Sequence, residues 1–266
     1  MSARAFNWRE TRGLGTFSLV VFLFLYLPLL VIVVFSFNTG RQVTIWEGTS
    51  LKWYAAVFAN RDIGNALWNS IVVAVAAMIL STILALTAAL GLRGSRMGRS
   101  EKMTLGLILL PLVVPEIVVA VATLVFFSGI GLKLGLGNLI IAHTVFCIPF
   151  AFLPIQARLT ALGSDVEDAG RDLYSDEWQV FRRVIMPLLM PAILSGAMLA
   201  FAASLDDFLI SMLLANAGQT TLPVYIYGML RLGVTPDVNA VSTLLLVSSV
   251  LIVLVALSIQ HAFRKQ

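Results

Sequence analysis

Long apolar runs alternate with short polar ones along this chain, and the lengths of the runs decide what they are. Six stretches, at about 17–37, 67–92, 103–127, 138–159, 188–215 and 239–260, carry few or no charges. At about 1.5 Å per helical residue, each is long enough to cross a hydrocarbon layer of about 30 Å. A membrane barrel would show period-two alternation, which is absent, and backbone in lipid must satisfy its own hydrogen bonds, so the runs are helices. The pattern predicts an all-α integral membrane protein of six transmembrane helices, forming one domain over 1–266.

Composition sharpens this. Of 266 residues, 59% are apolar and 12% charged, with a mean hydropathy of +0.94; a soluble domain runs near half and a quarter. The N-terminal "MSARAFNWRETRGLGT" has the positive charge of a signal peptide. The apolar run behind it has the length of a span and no small-residue cleavage pattern follows, so it reads as a retained first helix. Cys147 is the single cysteine, which rules out a disulfide framework. A net charge of +4, with the basic residues scattered beside apolar runs, gives no reason to expect nucleic acid.

The distribution of Lys and Arg sets the expected topology, because basic residues near span ends stay in the cytoplasm. One side collects thirteen: Arg4, Arg9, Arg12, Arg93, Arg96, Arg99, Lys102, Arg158, Arg171, Arg182, Arg183, Arg264 and Lys265. The other holds five, Arg41, Lys52, Arg61, Lys133 and Arg231. Both termini are therefore expected in the cytoplasm, together with the loop 160–187.

That loop contains "DVEDAGRDLYSDEWQVFRRVIMPLL", which gathers six of the chain's fourteen carboxylates within 165–177. Ser164 and Glu167 have capping-box spacing, predicting a helix from Asp165 with Val166, Ala169 and Leu173 on its apolar face. Ser175 is a second N-cap candidate, with Asp176 and Glu177 at the positive end of the next helix dipole. This second helix carries Trp178, Phe181, Arg182 and Ile185 towards Pro187, where a kink is expected. A solvated loop needs no Trp178 or Phe181 beside capped helices; a docking element needs an apolar ridge inside a polar rim.

"EDAGRDLYSDEWQVFRRVIMPLLMP" resembles the EAA loop of the membrane subunits of ATP-binding-cassette importers. Asp168, Ala169 and Gly170 stand at its Glu-Ala-Ala positions, Tyr174 at its Gly, Val184 at its Ile, Met186 at its Leu and Pro187 at its Pro. The resemblance covers nearly the whole chain. "LKWYAAVFAN", "ALWNSIVVA", "LILLPLVVPEIVVA", "SLDDFLIS" and "TTLPVYIYGMLRLGVTPDVNAVSTLLL" are similar to segments of the spermidine and putrescine importers, and most to the second of their two permeases. It implies a type I importer permease fold, non-catalytic, in a bacterial inner membrane. The implied partners are a second homologous permease, two ATP-binding subunits that carry ATP and magnesium, an extracytoplasmic solute-binding protein and membrane lipid. The coupling residues it implies are Glu167, Asp168, Ala169, Gly170, Asp172, Leu173, Tyr174, Trp178 and Pro187, and the implied cargo is a polyamine or a related small solute.

The residues agree on what is missing. No Gly-Lys pair exists to build a phosphate loop, so ATP must be hydrolysed elsewhere. Ser128-Gly129 and Ser195-Gly196 lack the glycine of a membrane-protease nucleophile motif. Two histidines 118 positions apart and one cysteine make no metal site. Within the spans stand Glu116, His143, Asp206 and Asp207. A carboxylate at mid-depth costs about 2.5–3.5 kcal/mol and by default faces an aqueous path or a partner. Pro111 and Pro115 loosen the helix just before Glu116, as suits a helix that lines a cavity. Glu116, Asp206 and Asp207 are thus candidates for a path that favours cations. Of the adjacent aspartates only one faces a pore squarely, leaving the other to cap or pair, and His143 reads as a packing residue. The rival expectation, an ion-coupled secondary transporter, requires inverted repeats with interrupted helices in both halves, and none is visible.

Overall fold

The computed structural model describes residues 12–41, 45–93, 98–133, 135–163, 165–173, 176–216, 218–233 and 235–264. These form helices α1 (Arg12–Phe35), α2 (Lys52–Ala59), α3 (Arg61–Gly91), α4 (Arg99–Val113), α5 (Glu116–Gly129), α6 (Leu136–Leu162), α7 (Asp165–Leu173) and α8 (Glu177–Val180). A π turn at Phe181–Ile185 follows, then α9 (Met186–Leu205), α10 (Leu209–Leu214), α11 (Leu222–Leu232) and α12 (Pro236–Arg264). Among the described residues the only non-helical pairing is an isolated bridge between Asn38 and Thr49.

The all-helical expectation holds. Four helical runs are long and apolar enough to cross a membrane: α1, α3, α6 and the continuous Glu177–Leu205, with α4 and α5 together making a fifth. The last expected span, 239–260, is helical within α12. The third expected span differs from a straight crossing, because α4 and α5 meet at 108°. Pro115 has no N–H to continue the helix and its ring pushes Val114 into extended backbone, φ −78° and ψ 134°. The fifth expected span is interrupted as well: α9 ends at Leu205 and α10 begins at Leu209. Asp206 and Asp207 lie in this break, so the reading of them as consecutive positions on one helix is corrected.

By internal packing the described chain divides into two units. One comprises the residues up to Asn60 with Gly228–Val247, the other Arg61–Tyr227 with those from Ser248 onward. In the first, the segment after α1 is ordered around buried Asn38, whose amide donates to the Ile45 carbonyl at 2.6 Å and accepts the Glu47 N–H at 2.9 Å. Its carbonyl takes the Trp53 indole N–H at 2.9 Å, and Tyr54 bonds Ser36 at 2.6 Å.

In the second unit α3, α6 and α9 pack on one another. Small residues make that possible: Ala74, Ala77, Ala85 and Ala89 on α3, Ala151 on α6 and Ala200 on α9 are buried. The closest approach is at Gly196, where an added Cβ would stand 2.6 Å from the Ala151 carbonyl oxygen. Helices in lipid gain little from hiding grease and associate instead through such close backbone contact. Asn69 donates to the carbonyls of Gly218 and Thr220, and Ser70 accepts the Leu222 N–H at 2.7 Å, tying the segment before α11 to α3.

Candidate functional site

Two helix breaks meet in the second unit. Glu116 is the first residue of α5, set there by the Pro115 bend, and it lines one cavity with Leu209, the first residue of α10. A carboxylate at a helix N-terminus faces unpaired amides and the positive end of the dipole, which is why acids are tolerated at these breaks.

The neighbouring aspartates separate cleanly. Asp206 ends α9, its N–H bonded to the Ala202 carbonyl, and its side chain is open. Asp207 is only 5% exposed. Its Oδ1 accepts the Ser211 N–H at 2.9 Å and lies 3.3 Å from His143 Nε2. His143 is also buried, with Nδ1 2.8 Å from Ser204 Oγ and Nε2 3.1 Å from Ser211 Oγ. The expectation that one aspartate would cap or pair is met by Asp207, and the packing role read for His143 is met by this network.

Glu116, Asp206 and Asp207 line one cavity of about 540 Å³, together with Phe146, Phe150, Leu199, Ala202, Ala203, Phe208 and Leu209. No Lys or Arg is among the lining residues. The Phe146 and Phe150 rings are 5.5 Å apart, and Phe208 stacks on Tyr227 at 4.8 Å. Carboxylates beside aromatic faces attract an organic ammonium by charge and by cation–π contact, and the rings cover its methylenes. The phenylalanines escaped the sequence reading because an aromatic in a span ordinarily packs. A second cavity of about 580 Å³, lined in part by Ser128, Lys133, Asn138, Asn216 and Gln219, has a lysine and no carboxylate and does not favour a cation. No group of three or more His, Cys, Asp or Glu among the described residues is arranged to hold a metal.

The acid-rich segment takes a different form. α7 begins at Asp165 as expected; of its capping box, Ser164 and the Glu167 side chain lie outside the described residues, as do Tyr174 and Ser175. The cap of α8 is Asp176, whose carboxylate accepts the Trp178 N–H at 3.2 Å. Pro187 sits in the first turn of α9, and the π turn just before it closes with Met186 N–H to the Phe181 carbonyl. The wider turn absorbs the proline where a simple kink was expected.

Gly170 is buried, and a Cβ there would stand 3.0 Å from Val180 Cγ1. It therefore packs α7 onto α8 and the π turn. Asp168, Ala169, Asp172, Leu173 and Trp178 point outward, with Leu173 77% and Trp178 62% exposed. Trp178 lies beside Phe181 at 5.6 Å. Arg171, which the motif does not mark, clasps the two helices by contacts to Asp168 at 3.2 Å and Glu177 at 2.9 Å.

Residues 81–266 match the family described as "Binding-protein-dependent transport system inner membrane component". The chain is 35% identical to the spermidine/putrescine transport system permease protein PotC of Haemophilus influenzae, over 91% of this chain and 94% of that protein. It is 34% identical to the putrescine transport system permease protein PotI of Escherichia coli K12, over 86% and 83%. Among solved structures it is similar to a chain of a bacterial ABC transporter involved in alginate import, with a TM-score of 0.74, 16% identity and coverage of 96% and 97%. A chain of the MetNI methionine ABC transporter, in inward-facing conformations, gives 0.64 at 18% identity, over 74% and 94%. Likeness at these identities shows a shared fold.

Proposed function

The chain belongs to the family of binding-protein-dependent transport system inner membrane components, as a multi-pass permease subunit of an ABC importer, and from that premise we propose that its cargo is a polyamine such as putrescine or spermidine. The observation that carries this reading is the cavity where Glu116, Asp206 and Asp207 converge beside Phe146, Phe150 and Phe208 with no basic residue in its lining. Moving an ammonium chain through apolar helices strips its hydration, and carboxylates along the way offset that loss. The permease names of the relatives, for spermidine and putrescine, support the same cargo.

In this reading the chain pairs with a second homologous permease and receives cargo from an extracytoplasmic binding protein. Both termini and the loop 160–187 face the cytoplasm, where two ATP-binding subunits dock. Leu173 and Trp178, the exposed apolar side chains of α7 and α8, seat on those subunits inside a rim made by Asp168 and Asp172. ATP closes the ATPase pair, α7 and α8 pass the movement to α9 through the continuous π turn, and the bundle alternates between outward and inward openings.

The test is the assembled importer in lipid nanodiscs with its binding protein and a panel of amines. Putrescine or spermidine should stimulate ATP hydrolysis, and neutral or anionic solutes of similar size should not. Stimulation by an anionic solute alone would remove the cation reading.

A further inference from the structure

We propose that His143 is the positioning residue of the acidic cavity, holding Asp207 so that its free oxygen, together with Glu116, forms a seat for one ammonium group. This rests on the reading of the cavity as a cation path and adds how the seat is built.

The imidazole bridges the break in the fifth predicted span. Ser204, on its Nδ1 side, is in the last turn of α9, and Ser211, on its Nε2 side, is in α10. Both ring nitrogens are thus engaged, the ring is 1% exposed, and His143 is absent from the cavity lining. It is placed to act through a neighbour and not on cargo.

That neighbour is Asp207. Oδ1 accepts the Ser211 N–H at 2.9 Å and faces Nε2 at 3.3 Å; in the tautomer this proposal requires, Nε2 carries the ring hydrogen towards Asp207 and Ser211 Oγ, and Nδ1 accepts from the Ser204 hydroxyl. Oδ1 is thereby anchored from two sides. Oδ2 is buried with no donor among the described residues, on a side chain that lines the cavity. A buried acceptor left without a donor is costly, and the Glu116 carboxyl lines the same cavity. An ammonium, with three donors and a positive charge, satisfies both carboxylates at once. Asp206, adjacent and open, adds charge where cargo enters.

The experiment is a double-mutant cycle on the complete importer reconstituted in vesicles, reading initial uptake of labelled putrescine against the concentration of loaded binding protein. Asp207→Asn and His143→Ala should each lower turnover about tenfold or more, leaving half-saturation by binding protein unchanged. The double variant should be no slower than Asp207→Asn alone. His143→Gln, whose amide nitrogen reaches the place of Nε2, should recover most of the rate. If His143→Ala fails to assemble, His143→Gln and Ser204→Ala carry the same cycle, both expected to lose their effect in the Asp207→Asn background. Losses that multiply in the double variant, or a His143→Gln complex as slow as His143→Ala, overturn the positioning role. A silent Asp207→Asn beside an impaired Glu116→Gln overturns the seat alone. Silence of Glu116→Gln, Asp206→Asn and Asp207→Asn together overturns the cation path beneath it.

Discussion

Carboxylates occupy two regions of this molecule under opposite conditions. On α7 and α8 they are exposed, and Asp168 and Glu177 share Arg171 between them. At the two helix breaks Glu116 and Asp207 meet with no Lys or Arg in the cavity lining, and Asp207 is buried. Water screens the first group, so each of its ion pairs is worth at most about 1 kcal/mol. Without that screening, a carboxyl is stabilised by hydrogen-bond donors, by taking up a proton or by a positive charge brought to it. The described acids of the loop therefore lie on a surface, and those of the breaks line a cavity that the proposed function assigns to a cation.

The sharpest way to break this comparison is to neutralise the cavity. The combined Glu116→Gln, Asp206→Asn and Asp207→Asn variant should lower uptake turnover about a hundredfold or more, corresponding to about 3 kcal/mol of lost cation stabilisation. Capture by the binding protein should be unchanged, and vesicle uptake separates the two. Asp206→Asn alone should cost least, because Asp206 is exposed in this chain while Asp207 is buried.

Next in size is Gly170→Arg. A side chain there collides with Val180 and levers α7 off α8, so uptake should fall about tenfold while the permease still inserts and binds its partner permease. Gly170→Ala, needing a shift of a few tenths of an ångström, should cost about 1 kcal/mol. Normal uptake with Gly170→Arg removes the coupling role of α7.

Truncating the exposed ridge tests the same segment from its outer face. Leu173→Ala and Trp178→Ala should each weaken retention of the ATP-binding subunits by about 1–2 kcal/mol, measured as subunit dissociation from the detergent-solubilised complex, with the thermal stability of the permease unaltered. Smallest of all is Arg171→Ala. Its contacts are exposed, so the melting temperature should move by less than the shift for about 1 kcal/mol and not at all at high salt. A large effect would mean that these acids are not screened as described.

Much of the fold was legible in residue order because lipid imposes a local rule. A run of the right length must be helical wherever it packs, whereas Pro115 breaks the chain's helix and Pro111, Pro149 and Pro154 stay inside theirs, so proline alone did not say where a break falls. The short helices of the loop were legible for a similar reason, since capping concerns residues three apart; the cap moved by one position, to Asp176. The contact of Gly170 with Val180 was not legible, because helical periodicity assigns faces without saying which face meets a neighbour. The acids were flagged one by one on insertion cost, which depends on each residue alone.

What the chain order determined by itself, then, is where apolar helices run and how many acids sit where charge is expensive. Tertiary structure decided the rest: that the break before Glu116 meets the break at Asp206–Phe208, that Asp207 turns inward to His143 while its neighbour stays open, and that three phenylalanines line the same cavity. These are distances between residues far apart in the chain. They follow from how closely α3, α6 and α9 approach through their alanines and Gly196, a property that belongs to the packed bundle and to no single segment.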